Sequence, residues 1–221
     1  MNLPALPFDL PNLPHAWSSL TSAQLLALAA AVGWASGLRL YLVVFSLGFT
    51  GFMGWLPLPP GLQLLASPWV MGASGLMLFI EFFADKIPGL DTLWDAIHTF
   101  IRIPAGAALA AGMLGTDSQT WGLMAALMGG TLAATAHAAK ATTRAAANTS
   151  PEPFSNIALS LGGDALVPSM LWLAYASPLY FFGALAILLV LMLVLIVVLF
   201  RFLSAVFRRF FGGRRSLSPS P

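Results

Sequence analysis

Residues 81–106 read EFFADKIPGLDTLWDAIHTFIRIPAG, and they carry charged side chains into a chain that is otherwise almost entirely apolar. The 221 residues are 58% hydrophobic and only 8% charged, whereas a soluble domain carries about 25% charged residues. A charge at the centre of a bilayer costs roughly 2.5–3.5 kcal/mol on insertion scales, so charges persist there when they pair, face water or bind something. The composition therefore predicts an integral membrane protein, and residues 81–106 mark part of its expected site.

Long apolar runs define the expected fold. A spanning helix needs about 20 apolar residues, and the continuous runs favour an all-α, polytopic membrane helix bundle with about six transmembrane helices over a β-barrel of alternating strands. The expected spans are residues 21–50, 68–84, 92–115, 121–139, 157–176 and 178–200. The third is ambiguous, because Pro104 either kinks a spanning helix or separates an interfacial stretch from a re-entrant one within residues 91–115.

The sequence divides into a proline-rich N-terminal segment (1–20), a single transmembrane domain (21–205) and a basic tail (206–221). The N-terminal prolines and the lack of a basic start argue against a cleaved signal and favour an interfacial segment. The tail is expected to contact anionic lipid headgroups of the bilayer, not nucleic acid. Glycine-rich helix faces allow close packing and are compatible with a homo-oligomer.

The loops predict an orientation. Basic residues recur after the second, fourth and sixth spans and are missing after the first, third and fifth. The positive-inside rule then places these connections and the C-terminus in the cytoplasm. An even number of spans places the N-terminus there as well.

Two charged hairpins hold most of the candidate site residues. In the first, Glu81 and Asp85 are four residues apart and share a helix face. Residues 88–89, Pro-Gly, are expected to form a turn, after which Asp91 caps the next helix. The face of that helix then carries, at spacings of three and four, Asp95, His98 and Arg102. Acids and bases on one face suit mutual neutralisation.

The second hairpin contributes mainly cations. Its first helix carries on one face, at spacings of three and four, His137, Lys140, Arg144 and Asn148. That helix is expected to end near Asn148, and Ser155 and Asn156 are expected to cap the next helix at Ile157. Asp164 is either a cap or, if the helix starts at Ile157, an intramembrane carboxylate that is a candidate proton or cation site.

The charges of the two hairpins nearly balance. The acids are Glu81, Asp85, Asp91, Asp95, Glu152 and Asp164, and the bases are Arg39, Lys86, Arg102, Lys140 and Arg144. They predict either a structural ion-pair network or the polar site of a small ion or solute transporter or channel, in the cytoplasmic half of the bundle. The alternative function is a membrane scaffold or assembly partner. The expected cation or proton groups are Glu81, Asp85 and Asp95, and the expected counter-ions or anion contacts are Lys86, Arg102, Lys140 and Arg144. A cavity lined mainly by Arg39, Lys140 and Arg144 would instead favour an anion or a phosphate headgroup.

Arg39 lies well inside the first span, where it either snorkels to the headgroups or points into a cavity. Gly33 and Gly37 nearby allow a helix break or close helix packing. The sequence contains no HExxH, GxSxG or phosphate-binding glycine loop, so no enzyme activity, metal site or cofactor is predicted. It contains no cysteine, which excludes disulfides and thiolate ligands.

Three segments resemble the domain of unknown function 4126 family: ASGLRLYL (35–42), the stretch at 81–106, and KATTRAAANTS…SNIALSLGGD (140–164). The resemblance runs from about Leu25 to the last helix and implies a small membrane protein of the bacterial inner membrane, with no assigned activity. In that family the last motif usually reads Ser-Leu-x-Glu-Asp, whereas Gly163 stands here where the glutamate would be. The resemblance thus implies that an acidic pair for a cation is incomplete in this chain.

Overall fold

A computed structural model describes residues 20–56, 58–114, 119–149 and 154–211, apart from the side chains of residues 210 and 211. Within these ranges the chain forms six α-helices and one 3-10 helix, Pro60–Ala66, and no strand. The α-helices are α1 (Ser22–Phe52), α2 (Pro68–Ala84), α3 (Leu90–Met113), α4 (Gln119–Ala147), α5 (Phe154–Ala176) and α6 (Pro178–Phe211). The predicted all-α helix bundle is confirmed.

Five helices are long and apolar enough to cross a membrane, namely α1, α3, α4, α5 and α6. The 3-10 helix and α2 pass the same test together as a sixth, although the pair is bent by 70°. Most large aliphatic side chains of α6 are exposed, as expected of a helix that faces lipid. These lengths and compositions identify a polytopic helical membrane protein.

The ambiguous third span is one helix. Residues 90–113 form α3 with Pro104 inside it, so the separate interfacial stretch is not observed. Gly89 precedes α3 with φ +85°, a backbone conformation that favours glycine. Asp91 lies in the first turn and not at the N-cap, but its carboxylate still accepts the backbone N–H groups of Gly89 (2.9 Å) and Thr92 (2.6 Å).

The start of α5 differs from the expectation. The helix already includes Phe154, so Ser155 and Asn156 lie in its first turn and do not cap a helix that begins at Ile157. Asp164 therefore lies within α5 and does not cap it. This position corresponds to the second alternative, in which Asp164 is an intramembrane carboxylate. The predicted end of α4 near Asn148 is confirmed by the last helical residue, Ala147.

The first helix is broken at Arg39, whose backbone angles (φ −143°, ψ 67°) are not helical. The half before the break runs antiparallel to α5, because Gln24 contacts Tyr175 near the end of α5 and Arg39 contacts Ser160 near its start. The half after the break runs antiparallel to α2, because Arg39 pairs with Asp85 whereas Gly48 adjoins Met71.

Both halves of α1 consequently point from Arg39 toward the same end of the bundle. The second half ends beside the 3-10 helix, because Gly48 adjoins Leu65, and the 3-10 helix adjoins the end of α3, because Gly61 meets Gly112. The first half also runs toward that end of α3, because Gly33 adjoins Gly106, and this end of the bundle lies opposite the charged turns. Residues 22 and 52 share that opposite end. The prediction of a cytoplasmic N-terminus assumed that the first span crosses once, whereas α1 turns back; residues 1–19 lie outside the described residues, and the orientation of the N-terminus stays a prediction.

Small residues hold α1 in the centre of the bundle. A Cβ added at Gly33 would lie 2.5 Å from the Cα of Gly129 on α4, and one added at Gly106 on α3 would lie 2.6 Å from the Cβ of Ala133. Only glycine allows two helices to approach this closely. Because lipid supplies no hydrophobic driving force between helices, close packing at small residues stabilises their association. A stripe of small residues on α4, which consists of Ala125, Gly129 and Ala133, is buried.

Several expectations fall outside the described residues. They concern the proline-rich segment up to residue 19, Glu152 and the tail from residue 212. The division into segment, transmembrane domain and tail stays a prediction.

Candidate functional site

The charged residues of both hairpins meet at one end of the bundle, around the break in α1. We call this group the charged cluster; its members are Arg39, Glu81, Asp85, Lys86, Asp91, Asp95, Arg102, Lys140, Arg144 and Asp164. The two remaining predicted site residues, His98 and Asn148, adjoin it. The spacing arguments therefore found residues that the fold brings together, and their functional role stays a prediction.

Arg102 organises the part of the cluster nearest the bundle centre. Its guanidinium contacts Glu81 (2.5 Å) and Asp95 (2.7 Å), and all three side chains are buried. Lys140 reaches the same two carboxylates, at 3.1 Å to Asp95 and 3.7 Å to Glu81. Two cations thus face two carboxylates, which is the pairing that buried charges require.

Histidines border this inner group. The Nδ1 atom of His137 lies 3.2 Å from Arg102 Nη1, and its Nε2 atom lies 2.7 Å from the Thr99 hydroxyl. His98 stacks on the ring of Trp94 and hydrogen-bonds the hydroxyl of Tyr41 at 2.9 Å. Both histidines are held by neighbouring side chains. In the part of the chain that the structure describes, no group of three His, Cys, Asp or Glu residues is arranged to hold a metal ion.

Asp85 is the carboxylate that contacts the most cations among the described residues. It follows the last residue of α2 and pairs with Arg39, with Lys140 (3.1 Å) and with Arg144 (3.4 Å). Arg144 also donates to the backbone carbonyl of Asp85. One acid at the end of α2 therefore links the break in α1 to the cationic face of α4.

Asp91 anchors the outer edge of the cluster. Its carboxylate lies 3.4 Å from Arg144 and accepts a hydrogen bond from the Asn148 amide (2.9 Å). The Asn156 side-chain amide in turn donates to the side-chain oxygen of Asn148 (2.6 Å). This chain of contacts ties the starts of α3 and α5 to the end of α4.

Arg39 and Lys86 share the face of α5. Arg39 lies 3.0 Å from Asp164 and donates to the Ser160 hydroxyl at 2.8 Å. Lys86 donates to the same hydroxyl and lies 3.1 Å above the ring of Phe82. Partial burial lowers the pKa of Lys86, because removal from water disfavours the charged amine.

A cavity of about 540 Å³ lies beside the cluster, between α4, α5 and α6, with the break in α1 as its floor. Three cations line it: Arg39, Lys140 and Arg144. Among the described residues, no carboxylate forms part of its lining. This is the cationic arrangement that the sequence analysis associated with an anion or a phosphate headgroup.

Some contact residues escaped the sequence analysis, notably Thr99 and Ser160. Asn156, Ser160 and Asp164 are spaced by four residues, so the helical spacing rule that found the other faces would have found Ser160. Thr99 carried no comparable signal, because its role depends on His137 of another helix.

The helices and the buried ion pairs together define the class: a polytopic helical membrane protein with a charged cluster beside a cationic cavity. The family model described as Domain of unknown function (DUF4126) matches residues 26–198, and the chain belongs to this family. Neither a curated protein nor a solved structure matches the chain.

Proposed function

We propose that the protein is a small membrane transport protein or channel for an anion, which binds in the cavity beside the charged cluster. One observation carries this proposal: Arg39, Lys140 and Arg144 line the cavity together and no described acid does. Rings of basic side chains are a common means of anion selection in membrane pores.

The broken helix supports the same proposal. Transporters commonly build their binding sites at breaks in spanning helices, where half-helix ends and freed carbonyls meet the ligand. Here the break at Arg39 lies in the cavity floor, and the carbonyl oxygen of Leu38 beside it accepts a hydrogen bond from Lys140 (3.2 Å). The break therefore places Arg39 where it lines the cavity and also pairs with Asp85.

In the proposed mechanism, Asp85 is an internal counter-ion. In the absence of a ligand, the Asp85 carboxylate pairs with the three cations that line the cavity. An entering anion competes with this carboxylate for the three cations. Movement of Asp85 away from α4 would release the cations to the anion. The groups that surround this carboxylate are Arg39 on α1, Lys86 in its own turn, and Lys140 and Arg144 on α4.

The proposed location is the inner membrane of a bacterial cell, with the charged end of the bundle in the cytoplasm. The positive-inside rule supports this orientation, because Lys86 and Arg144 lie at that end and α6 ends there with Arg208 and Arg209. The basic tail would then lie near anionic headgroups.

The direct test is anion flux into liposomes that contain the purified protein. We expect wild-type protein to carry chloride, phosphate or a small carboxylate, and Lys140→Gln to lose at least about 90% of that flux. Arg208→Gln is the matched control, because this exposed arginine lies away from the cavity. Folding of each variant is checked by gel filtration and thermal unfolding. Absence of flux for every anion tested, from folded wild-type protein, would reject the proposal.

The second candidate is the membrane scaffold, and the completeness of the ion pairing favours it. Each of the five described acids of the cluster contacts at least one cation. If the protein is a scaffold, the charged cluster fixes the register of the helices. Mutation of the cluster then changes the stability of the protein, and no anion flux is observed. The liposome measurement separates the two candidates.

A further inference from the structure

The walls of the cavity are apolar wherever they are not cationic. Leu159 and Leu166 of α5 form one side, and Met192 and Leu195 of α6 form another. The other polar side chain of the lining is Thr143, whose hydroxyl already donates to the carbonyl of Ala139 (2.7 Å). The cavity thus has a small cationic side, because the three basic side chains are only 2–8% exposed, and a larger apolar remainder.

This combination suits an anion that carries an apolar group better than a small inorganic anion. Such an ion needs hydrogen-bond donors around it, and here the donors lie on one side while leucine and methionine side chains form the rest. A cavity of 540 Å³ also lies within the roughly 300–1,000 Å³ typical of sites for larger molecules. The apolar walls would remain unused by an ion of a few atoms.

The cavity continues to the lipid-facing surface. Leu159 and Leu195 line it and yet remain 38% and 39% exposed. Leu195 belongs to α6, whose exposed side chains between residues 186 and 198 are all aliphatic. An apolar chain in the surrounding bilayer could therefore continue along the same surface into the cavity without crossing a polar barrier.

We infer that the cavity binds the phosphate of an anionic lipid, with at least one acyl chain along Leu159, Leu166 and Leu195. Arginine guanidinium groups suit phosphate because they donate two parallel hydrogen bonds to it, and Arg39 and Arg144 line the cavity together with Lys140. The inference rests on the proposed anion site and names the class of ligand that the site takes.

Gly163 supplies a sharp test of this inference. It lines the cavity, and a Cβ added there would meet only the Nε atom of Arg39, at 3.7 Å, which is ordinary van der Waals contact. Gly163→Glu therefore introduces a carboxylate beside the three cations without a backbone clash. Gly163→Gln is the matched control, because it has nearly the same size and no charge.

The experiment measures binding to the full-length protein in nanodiscs of phosphatidylcholine. Fluorescent phosphatidic acid is the probe; unlabelled phosphatidic acid, diacylglycerol and glycerol phosphate are the competitors. We expect saturable binding that phosphatidic acid displaces, and that diacylglycerol and glycerol phosphate leave in place. Gly163→Glu is expected to weaken binding at least tenfold relative to Gly163→Gln.

Each other outcome has a defined meaning. If glycerol phosphate displaces the probe as well as phosphatidic acid does, the lipid inference is overturned and the anion site stands. If diacylglycerol displaces it equally, the phosphate has no role and the inference fails. If Gly163→Glu and Gly163→Gln bind alike, the headgroup does not lie in this cavity. If neither phosphatidic acid nor glycerol phosphate binds, the lipid inference fails, and the liposome flux measurement alone decides the proposed function.

Discussion

Asp85 shows how much a single residue contributes to this fold. Its carboxylate is fully buried and balances three cations from two helices. A buried charge is tolerated when it is paired, and removal of one partner leaves the other charges uncompensated in a medium of low dielectric. The neighbouring pair of Arg39 with Asp164 is less enclosed, because the Asp164 side chain is 24% exposed.

Asp85→Asn is expected to lower the free energy of unfolding by about 3–5 kcal/mol, because it leaves buried cations unpaired. The measurement is denaturant unfolding in detergent micelles. Asp164→Asn should cost less, since that side chain is less enclosed and its ion pair is with Arg39. Arg208→Gln, on the exposed end of α6, is the control and should change stability by less than about 0.5 kcal/mol. Equal stability of Asp85→Asn and wild type would contradict the described pairing.

At the scale of the helix, α1 depends on glycine for its central position. Gly33 and Gly37 face α4 so closely that any Cβ would meet the backbone of Gly129 or Ala133. Both backbones belong to well-packed helices that cannot yield without moving other contacts. The break at Arg39 interrupts α1, so each half of the helix is held in place by its contacts with neighbouring helices.

Gly33→Ala is expected to destabilise the protein by about 1–3 kcal/mol through overpacking. Gly122→Ala on α4 is the matched control, since a Cβ there meets nothing within 4 Å. Alanine favours a helix over glycine by up to about 1 kcal/mol, so the control should be neutral or stabilising. Thermal unfolding of both variants checks the prediction, and an equal shift for the two would count against the close contact of α1 with α4.

The sequence predicted individual helices well because their signals are local. The bounds of α2 follow from Pro68 at its start and from the Pro-Gly turn at residues 88–89, and the structure agrees. A helix break near Gly33 and Gly37 was one of two alternatives, and its position at Arg39 was not predicted, because no proline marks it and its contacts come from distant segments. Spacing likewise showed which charges share a face, but not that Asp85 would pair with Arg39, since that pairing depends on how α1 turns back.

For the whole molecule, the return of α1 determines the topology. Residues 22 and 52 lie at the end of the bundle opposite the charged turns, whereas a continuous α1 would separate them by about 45 Å at 1.5 Å per residue. The chain contains no cysteine, so single cysteines can be introduced and labelled without interference.

We expect cysteines at Ser22 and Trp55 to react with a membrane-impermeant maleimide from one side of the membrane, and a cysteine at Thr149 from the other. Oriented vesicles supply the measurement, and labelling after permeabilisation confirms that each cysteine is accessible. Labelling of positions 22 and 55 from opposite sides would show that α1 crosses the membrane once.

The charged cluster as a whole is close to neutral, since its five acids match its five bases. Binding of an anion at Arg39, Lys140 and Arg144 must therefore compete with an acid already present, and Asp85 is the acid that contacts all three. Anion affinity should consequently be limited by Asp85. This competition is the central claim, because it joins the ion pairs, the broken helix and the cavity in one mechanism.

The most direct measurement is the affinity of folded wild-type protein and of Asp85→Asn for phosphatidic acid in phosphatidylcholine nanodiscs. Removal of the competing carboxylate should tighten binding by about tenfold, which corresponds to about 1.4 kcal/mol. Arg208→Gln should bind as wild type does. Unchanged or weaker binding by folded Asp85→Asn would contradict the account, because the carboxylate would then not compete for the three cations.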